Sequence, residues 1–280
     1  MKLTRHATAG VFLARARAAL ERQEAFNNLM LGVATRLDED PERIKTPPYL
    51  ATVEEGDALL AAAVMTPPHR VIVHSESTDP APLRLIAHDL HANGWAPPGV
   101  IGPAATARAF AAAWTAAAGG SFRLLRHERV YELRQVNPPP PTPGALRVAV
   151  EADQALVAQW FYAFMHEVGM GGTAEELAEL AAQRIDRREI FLWDDGGPVS
   201  LAGRGRHTAH GVAIGPVYTP PALRGRGYAS ACVAALSQQM LDAGWRFCAL
   251  FTDLANPTSN RIYQKIGYRP LGDFDEYGFT

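Results

Sequence analysis

The sequence predicts an α/β (α+β) fold that consists of two similar domains in tandem. The order helix, helix, hairpin, strand, helix, strand, helix, strand can be followed through residues 1–136 and again through residues 146–280. Between them, residues 137–145 are rich in proline, which donates no backbone hydrogen bond and favours an extended, semi-rigid linker. A chain of 280 residues is long enough for two domains of about 140 residues, each with its own core.

Apolar periodicity predicts the elements of the first half. Helices are expected around Val11–Leu20 and Leu29–Val33, from Pro82 to Asn93, and over Ala104–Ala118. Strands are expected at Tyr49–Val53 and Leu59–Met65, at Arg70–His74, near Val100–Ile101 and at Arg129–Leu133. The first two strands flank a short turn that contains a glycine, which is typical of a hairpin.

The second half repeats this order. Its strands are expected at Leu146–Val150, Glu189–Trp193, Val199–Gly203, Gly211–Thr219 and Phe247–Phe251. Asp153 is expected to cap the first helix, because a side-chain oxygen at that position can accept a free backbone N–H group. Thr173 and Glu176 form a capping box that opens the second helix. The third helix follows Gly227 and ends before Gly244.

Composition excludes several classes of partner. The net charge is −2 and the 27 basic residues are scattered, so a nucleic-acid partner is not expected. Cys232 and Cys248 lie in apolar runs without a metal-binding pattern, which favours buried thiols, no metal and a reducing compartment. Arg15 and Arg17 interrupt the apolar stretch near the N-terminus, and Ala104–Ala118 is too short to cross a bilayer. We therefore expect a cytoplasmic protein without a membrane partner.

The most informative stretch joins the strand that ends at Val217–Thr219 to a helix that begins at Tyr228–Ser230. The loop between them contains Arg224–Gly227, and its two glycines can adopt positive φ and approach a ligand closely. The N–H groups of such a turn and of the helix start form a concave anion site, to which the two arginines add charge. This arrangement predicts a phosphate or pyrophosphate ligand.

Two familiar phosphate motifs do not fit this loop. A nucleotide P-loop needs a lysine followed by serine or threonine after its last glycine, whereas Tyr228 and Ala229 follow Gly227. A dinucleotide motif needs three glycines and an acidic residue about twenty positions further on. Asp242 lies fifteen residues after Gly227 and falls inside the helical pattern. Neither nucleotide class is therefore expected.

The loop does resemble the pyrophosphate-binding signature of the GNAT superfamily of acyl-CoA-dependent N-acyltransferases, Gln/Arg-x-x-Gly-x-Gly/Ala, which Arg224–Ala229 matches. A second signature of that family, Asn-x-x-Ser/Ala-x-x-x-Tyr-x-x-x-Gly-Phe/Tyr, is matched by Asn256–Tyr268. The resemblance is firm over residues 146–280 and only architectural over residues 1–136. It implies that each domain is a mixed, mainly antiparallel twisted sheet flanked by helices.

The resemblance further implies an N-acetyltransferase that passes an acetyl group directly from acetyl-CoA to a primary amine in a ternary complex. The acceptor would be a small-molecule amine or a peptide, and the reaction would need neither a metal nor a covalent enzyme intermediate. A backbone N–H group near the end of the strand could stabilise the oxyanion. The residues implied in cofactor binding are Val217, Tyr218, Thr219, Arg224, Gly225, Arg226, Gly227, Tyr228, Ala229, Ser230, Asn256, Ser259 and Asn260.

Tyr263 matches the family tyrosine that protonates the departing thiolate. A phenol near pKa 10 facing a thiolate near 8.5 requires either perturbed values or a role as hydrogen-bond donor only. Asn256 and Asn260 could bind the pantetheine amides or cap the short helix. The base that activates the amine is not singled out by the sequence. Glu167 is taken as the candidate base, and the alternatives are His166, His207, His210 and Asp253.

The first half lacks the signature. Thr78–Pro82 occupies the corresponding position, where prolines offer no N–H group and Asp79 would repel a phosphate. Tandem GNAT proteins with one degenerate half are known, and this chain resembles them. Two alternatives remain open: a tandem acetyltransferase similar to mycothiol synthase, and an acyl-CoA-binding sensor or scaffold without turnover. The oligomeric state, monomer or homodimer, is also open.

Overall fold

One continuous sheet of twelve strands passes through both halves of the chain in this computed structural model, which describes residues 1–280 apart from the side chain of Arg43. The strands are β1 (Lys2–Arg5), β2 (Tyr49–Glu55), β3 (Ala58–Met65), β4 (Val71–Ser75), β5 (Gly99–Pro103), β6 (Phe122–Leu133), β7 (Ala145–Val148), β8 (Ile190–Asp194), β9 (Pro198–His207), β10 (Gly211–Tyr218), β11 (Phe247–Asp253) and β12 (Arg269–Phe279). The helices are α1 (Ala9–Leu20), α2 (Asn28–Glu39), α3 (Ala81–Ala92), α4 (Ala104–Ala118), α5 (Gln154–Glu167), α6 (Ala174–Asp186), α7 (Tyr228–Asp242) and α8 (Pro257–Ile266).

The two halves exchange their last strands. The order across the sheet is β1-β2-β3-β4-β5-β12-β6-β11-β10-β9-β8-β7, so β12 pairs with β5 of the first half and β6 pairs with β11 of the second. β6 and β12 also pair with each other, from Arg269 opposite Glu132 to Phe279 opposite Phe122. The linker therefore separates the repeats along the chain, whereas the sheet continues from one half into the other.

Helices cover both faces of the sheet. In the second half α5 and α6 pack on Leu192 and Leu201, and α7 packs on the opposite face, which carries Cys248 and Leu250. Ala25, between α1 and α2, packs on Phe247 and Ala249, whose side chains alternate with those beneath α7. The four helices α1, α2, α5 and α6 thus share one face, called here the front face. The back face carries α3, α4, α7 and α8.

The structure confirms the mixed, mainly antiparallel architecture. Among the pairs of described strands, β4–β5 and β10–β11 are parallel and the other neighbours are antiparallel. The capping box is confirmed, since the Glu176 N–H group donates to Thr173 Oγ1 at 3.2 Å and the Thr173 N–H group donates to Glu176 Oε2 at 2.9 Å. Both cysteines are buried and free, as expected. No helix among the described residues combines the length and apolar character that a membrane span requires.

Three local expectations were wrong or incomplete. Asp153 does not cap α5 with its side chain; its carboxylate accepts a hydrogen bond from the Val150 N–H group at 2.8 Å and pairs with Arg147 at 2.7 Å. Strand β1 was not expected, and β6 begins at Phe122, seven residues earlier than Arg129. Much of these segments is polar and exposed, so they form strands because neighbouring strands pair with their backbones.

The strand exchange predicts that the halves do not fold independently. Residues 1–136 expressed alone would lack β12 and β11, so β6 would lose both of its neighbours and β5 would keep only β4. We expect this fragment to be insoluble or unfolded by circular dichroism, and its co-expression with a tagged fragment 137–280 to yield a folded complex on affinity and size-exclusion chromatography. A monomeric 1–136 fragment with a cooperative thermal transition would contradict this prediction.

Candidate functional site

An opening lies between β10 and β11. The two strands pair from Gly211 opposite Phe247 to Ala213 opposite Ala249. Beyond that point residues 214–218 and 250–253 no longer pair with each other, although β10 stays paired with β9 and β11 with β6. Pro216 contributes to this separation because it has no N–H group to donate, and β10 also shifts register against β9 on either side of Ile214. This opening, called here the wedge, leaves main-chain groups of β10 free to bind a ligand.

The glycine loop has the geometry that the sequence predicts. Gly225 has φ +77° and Gly227 has φ +87°, and Gly227 is the N-cap residue of α7. A Cβ atom on Gly225 would meet no described atom within 4 Å, so the space beside the loop is open. The free N–H groups at the start of α7 and the exposed loop therefore form an anion site next to the wedge.

Arg224 and Glu167, predicted as phosphate ligand and candidate base, form an ion pair. Arg224 Nη2 lies 2.8 and 2.7 Å from the two carboxylate oxygens of Glu167, and Arg224 Nε donates to the carbonyl oxygen of Thr219 at 2.9 Å. The guanidinium group also lies 5.8 Å from the centre of the Tyr218 ring. This pair engages both carboxylate oxygens of Glu167, and both side chains are exposed to a similar extent.

Other predicted residues position the loop. The Tyr228 hydroxyl donates to Asp195 Oδ2 at 2.7 Å and so ties the start of α7 to the β8–β9 hairpin. The Ser200 hydroxyl donates to the Tyr218 carbonyl oxygen at 3.1 Å and shares a hydrogen bond with the Thr219 hydroxyl. Arg226 is exposed and forms no ion pair with a described residue; it makes a long contact of 3.5 Å with the Ala222 carbonyl oxygen and interacts with the Tyr228 hydroxyl, so its charge is available to a ligand. The remaining members of the predicted set, Val217, Ala229 and Ser230, are partly buried.

A cavity of about 350 Å³ lies beside the first turn of α7. Ser230 lines it on one side, Pro138–Pro140 of the linker line another, and α8 contributes Arg261 and Lys265. The linker continues past the glycine loop, where a Cβ atom on Gly227 would lie 3.0 Å from Thr142 Oγ1. The linker, predicted only as a connector, is therefore a wall of the site.

Tyr263 has a hydroxyl group that hydrogen-bonds to no described residue. Its side chain is buried on the back face, and its ring meets that of Tyr268 edge to face at 5.8 Å. Burial raises the pKa of Tyr263 to about 12, so this phenol stays neutral at physiological pH. It can donate a hydrogen bond to a ligand.

The two asparagines on α8 have structural partners. Asn256 Oδ1 accepts from the Ser259 N–H group at 3.0 Å and caps the helix. Asn260 Nδ2 donates to the carbonyl oxygens of Asp253 and Asn256, both at 2.8 Å, and Asn260 Oδ1 accepts from the Tyr131 hydroxyl at 2.8 Å. Of the two roles left open by the sequence, the geometry shows the capping role for Asn256 only, whereas Asn260 lies inside α8 and bonds two carbonyl oxygens and Tyr131.

The other candidate bases lie in different surroundings. His207 contacts Glu39 at 3.1 Å and His210 contacts Glu24 at 2.8 Å, so both tie the second half to the first. The ring of His166 packs near that of Tyr162. Asp253 lies at the end of β11, beside the wedge, and its carboxylate accepts a hydrogen bond from the Ala255 N–H group.

A carboxylate that sequence reasoning missed lies next to Asp253. Glu128 on β6 is directly opposite Asp253 in the sheet, and burial is the main cause that raises its pKa to about 7. No sequence pattern could have indicated it, because the proximity arises only from the pairing of β6 with β11. Among the residues that the structure describes, no group of three or more His, Cys, Asp or Glu side chains could hold a metal ion.

The first half has closed its own version of the anion site. Asp79 Oδ1 accepts a hydrogen bond from the Ala81 N–H group at 2.9 Å at the start of α3, where an anion would otherwise bind. Pro80 and Pro82 offer no N–H groups there. Of the two corresponding positions, only the one in the second half therefore leaves the N–H groups at the helix start open.

Comparisons with known proteins agree with this geometry. A family model described as FR47-like protein matches residues 195–277, which contain both signatures. A GNAT-family acetyltransferase from Colwellia psychrerythraea is 11% identical, covers 100% of both chains and has a TM-score of 0.57. A GCN5-related N-acetyltransferase from Sphaerobacter thermophilus is 16% identical, with 98% of this chain and 94% of that chain covered and a TM-score of 0.62.

A tandem GNAT protein from the clavulanic acid biosynthesis pathway is 14% identical, with 99% of this chain and 97% of that chain covered and a TM-score of 0.58. At such identities these solved structures establish the fold. No curated protein matches the sequence.

The hydrogen bonds of Asn260 predict a structural role that can be measured. Asn260→Ala removes three bonds, including the one to the buried Tyr131 side chain, and we expect the free energy of unfolding to fall by about 2–3 kcal/mol. Ser259→Ala is the matched control, because Ser259 contributes its backbone N–H group to the cap, and its change should stay within about 0.5 kcal/mol. Urea denaturation measures both. Equal stability of the two variants would show that Asn260 is not structural.

Proposed function

We propose, from its similarity to the GNAT superfamily, that this chain transfers an acetyl group from acetyl-CoA to a primary amine at the wedge of its second half. The GNAT fold itself supports acyl transfer from an acyl-CoA in general. The observation that carries the proposal is the open wedge beside an exposed glycine loop at the N-terminus of α7. It would provide an anion site next to the part of β10 that does not pair with β11, as a diphosphate joined to an extended thioester arm requires.

The negative charges of acetyl-CoA suggest where each part of the donor would bind. The diphosphate would lie on the glycine loop, where the N–H groups at the start of α7 and the side chain of Arg226 meet it. The pantetheine arm would enter the wedge along the end of β10 that is not paired with β11. The cavity beside the loop carries Arg261 and Lys265 and would take the adenosine 3′-phosphate. Arg224 joins the diphosphate site if it releases Glu167.

The chemistry would be direct attack of the amine nitrogen on the thioester carbonyl. A main-chain N–H group of β10 is placed to donate to the oxyanion, which in other enzymes is typically worth about 10²–10³ in rate. Tyr263 would donate a hydrogen bond to the departing thiolate. With the pKa of Tyr263 near 12 and that of a thiol near 8.5, complete proton transfer is uphill by about 3.5 units, or roughly 5 kcal/mol. Hydrogen-bond donation is therefore the role we assign to it.

Removal of the Tyr263 hydroxyl tests this role. For Tyr263→Phe we expect kcat to fall about 10- to 100-fold, because a hydrogen bond to a charged atom is lost, while the Kd for acetyl-CoA changes less than twofold. Tyr268→Phe is the control, since its ring packs on Tyr263 and its hydroxyl is bonded to Ser237 at 2.8 Å. Release of free thiol from acetyl-CoA with a panel of primary amines measures both. Binding of acetyl-CoA without thiol release from the wild type would instead support the sensor.

The cavity assignment is tested with two forms of the cofactor. For the double variant Arg261→Ala/Lys265→Ala we expect about tenfold weaker binding of CoA and little change for 3′-dephospho-CoA, because only the former carries the phosphate that the two cations would bind. Arg246→Ala, at an exposed position near the far end of α7, controls for the loss of positive charge. Isothermal titration calorimetry gives the affinities. An equal loss for both ligands would contradict the assignment.

A further inference from the structure

The exchanged strand β6 carries a carboxylate of the first half to the wedge of the second. Glu128 lies opposite Asp253, the last residue of β11, in a register that runs without a shift from Leu133 opposite Cys248. The strands β10 and β11 are last paired at Ala213 and Ala249, and four residues further along each strand lie Val217 and Asp253. Glu128 is therefore level with the main chain around Val217 where the thioester would lie, with β11 between them.

The Glu128 side chain is on the front face. Cys248 and Leu250 on β11 face α7, so Phe251 and Asp253 face the other side, and Glu128 shares their face because it pairs with Asp253. The donor elements α7, α8 and the cavity are all on the back face. An acceptor must then reach the thioester from the front face, where the segment after α5 also lies: Arg126 Nη2 donates to the Val168 carbonyl oxygen at 2.5 Å.

The charged groups around Glu128 come from three strands. Arg126 lies on the same strand, Glu276 on β12 and Asp253 on β11, and burial outweighs the stabilising effect of Arg126 in raising the pKa of Glu128 to about 7. Arg126 is committed elsewhere, to the Val168 carbonyl oxygen and to Glu276 at 3.9 Å, and Arg70 also binds Glu276 at 2.9 Å. Glu128 itself forms neither a hydrogen bond nor an ion pair with any side chain that the structure describes.

The other wall of this region is aromatic. Phe274 on β12 contacts Phe251 on β11 at 5.2 Å between ring centres, and Phe26, between α1 and α2, at 5.1 Å. A carboxylate without a partner, set between an apolar cluster and two further carboxylates, is a favourable position for an amine, which is cationic before it loses its proton. In the free protein no cationic side chain of the described residues forms an ion pair with Glu128, and the ammonium group of an acceptor would supply one.

We propose that Glu128 is the general base of the reaction and that the first half of the chain contributes it to the active site in the second half. This assignment rests on the proposed function. Glu128 first takes one proton from the ammonium group of the acceptor, so that an N–H bond breaks and an O–H bond forms. The nitrogen lone pair that this releases then attacks the thioester carbonyl. As the C–S bond breaks, a second proton passes from the acceptor nitrogen to the departing thiolate, which leaves as the thiol beside Tyr263. Solvent finally takes the proton from Glu128.

Most of the other candidate bases are already engaged in ion pairs. Glu167 is held by Arg224, and His207 and His210 are held by carboxylates of the first half. A base with a pKa near neutrality is ionised to a useful extent at pH 7 and is still basic enough to accept a proton. Asp253 and Glu276 assist by adding negative potential that attracts the ammonium form of the acceptor.

Glu128→Gln tests the proposal, with Glu132→Gln on the same strand as its matched control. The probes are acetyl-CoA with putrescine, lysine, glucosamine and phenethylamine as acceptors. We expect kcat of Glu128→Gln to fall at least 100-fold at pH 7.5 with the KM for acetyl-CoA unchanged, and the control to keep wild-type values. The wild-type kcat/KM should rise with pH through a limb near pH 7 that the variant lacks.

A thermal-stability measurement separates a base from a structural carboxylate. Since the folded protein raises the pKa of Glu128 above its ordinary value of about 4.5, ionisation of this group disfavours the folded state increasingly from pH 5 to pH 8. Glu128→Gln should therefore have a higher Tm than the wild type at pH 8, and nearly the same Tm at pH 5. A structural carboxylate would give a lower Tm at both values.

Three results would overturn the assignment while leaving the proposed function intact. They are a Glu128→Gln variant with wild-type kcat, a variant that keeps the limb near pH 7, and a control that loses as much activity as the variant. A lower Tm of Glu128→Gln at pH 8 would also overturn it. Absence of thiol release by the wild type with every acceptor would instead remove the proposed function, and this assignment with it.

Discussion

The pairing of β6 with β12 holds the molecule together. Each of these strands is the last element of its own half, yet each lies between its partner and a strand of the other half. Without β12 and β6 between them, β5 and β11 would each present an unpaired edge, which is a site for aggregation. The two cores, the continuous sheet and the position of the front face all follow from this pairing. Because of the exchange, the boundary between the repeats in the sequence does not show which residues can act together.

The second constraint is the failure of pairing between β10 and β11. Gly211–Ala213 hold the two strands together at one end, whereas Pro216 lacks the N–H group that a regular ladder needs at the other. Free main-chain groups and a glycine loop with two positive φ angles then lie side by side. The same chemistry is blocked in the first half, where Asp79 already accepts the hydrogen bond of the Ala81 N–H group. Sequence differences of a few residues thus decide which half leaves the N–H groups at its helix start open.

Local patterns predicted the local features well, and pairing between distant segments decided the rest. The glycine loop, the capping box at Thr173 and the blocked site at Asp79 could be predicted because each depends on neighbours in the sequence. The side chain of Asp153 was assigned to a cap because the pattern cannot show that Arg147 competes for it. The linker wall and the position of Glu128 could not be predicted, since both depend on which strands are neighbours in the sheet.

An unpaired carboxylate in a partly buried position is costly, and proteins retain such groups where function requires them. Two neighbouring carboxylates make the cost at Glu128 higher. Arg126 offsets part of it, but Arg126 and Arg70 form their ion pairs with Glu276 and not with Glu128. If the first half only completed the sheet, nothing would favour a costly unpaired carboxylate on β6. The first half has lost its own anion site, yet its last strand ends beside the wedge of the second. In the proposed reaction, the exchange thus combines residues of both halves in one active site.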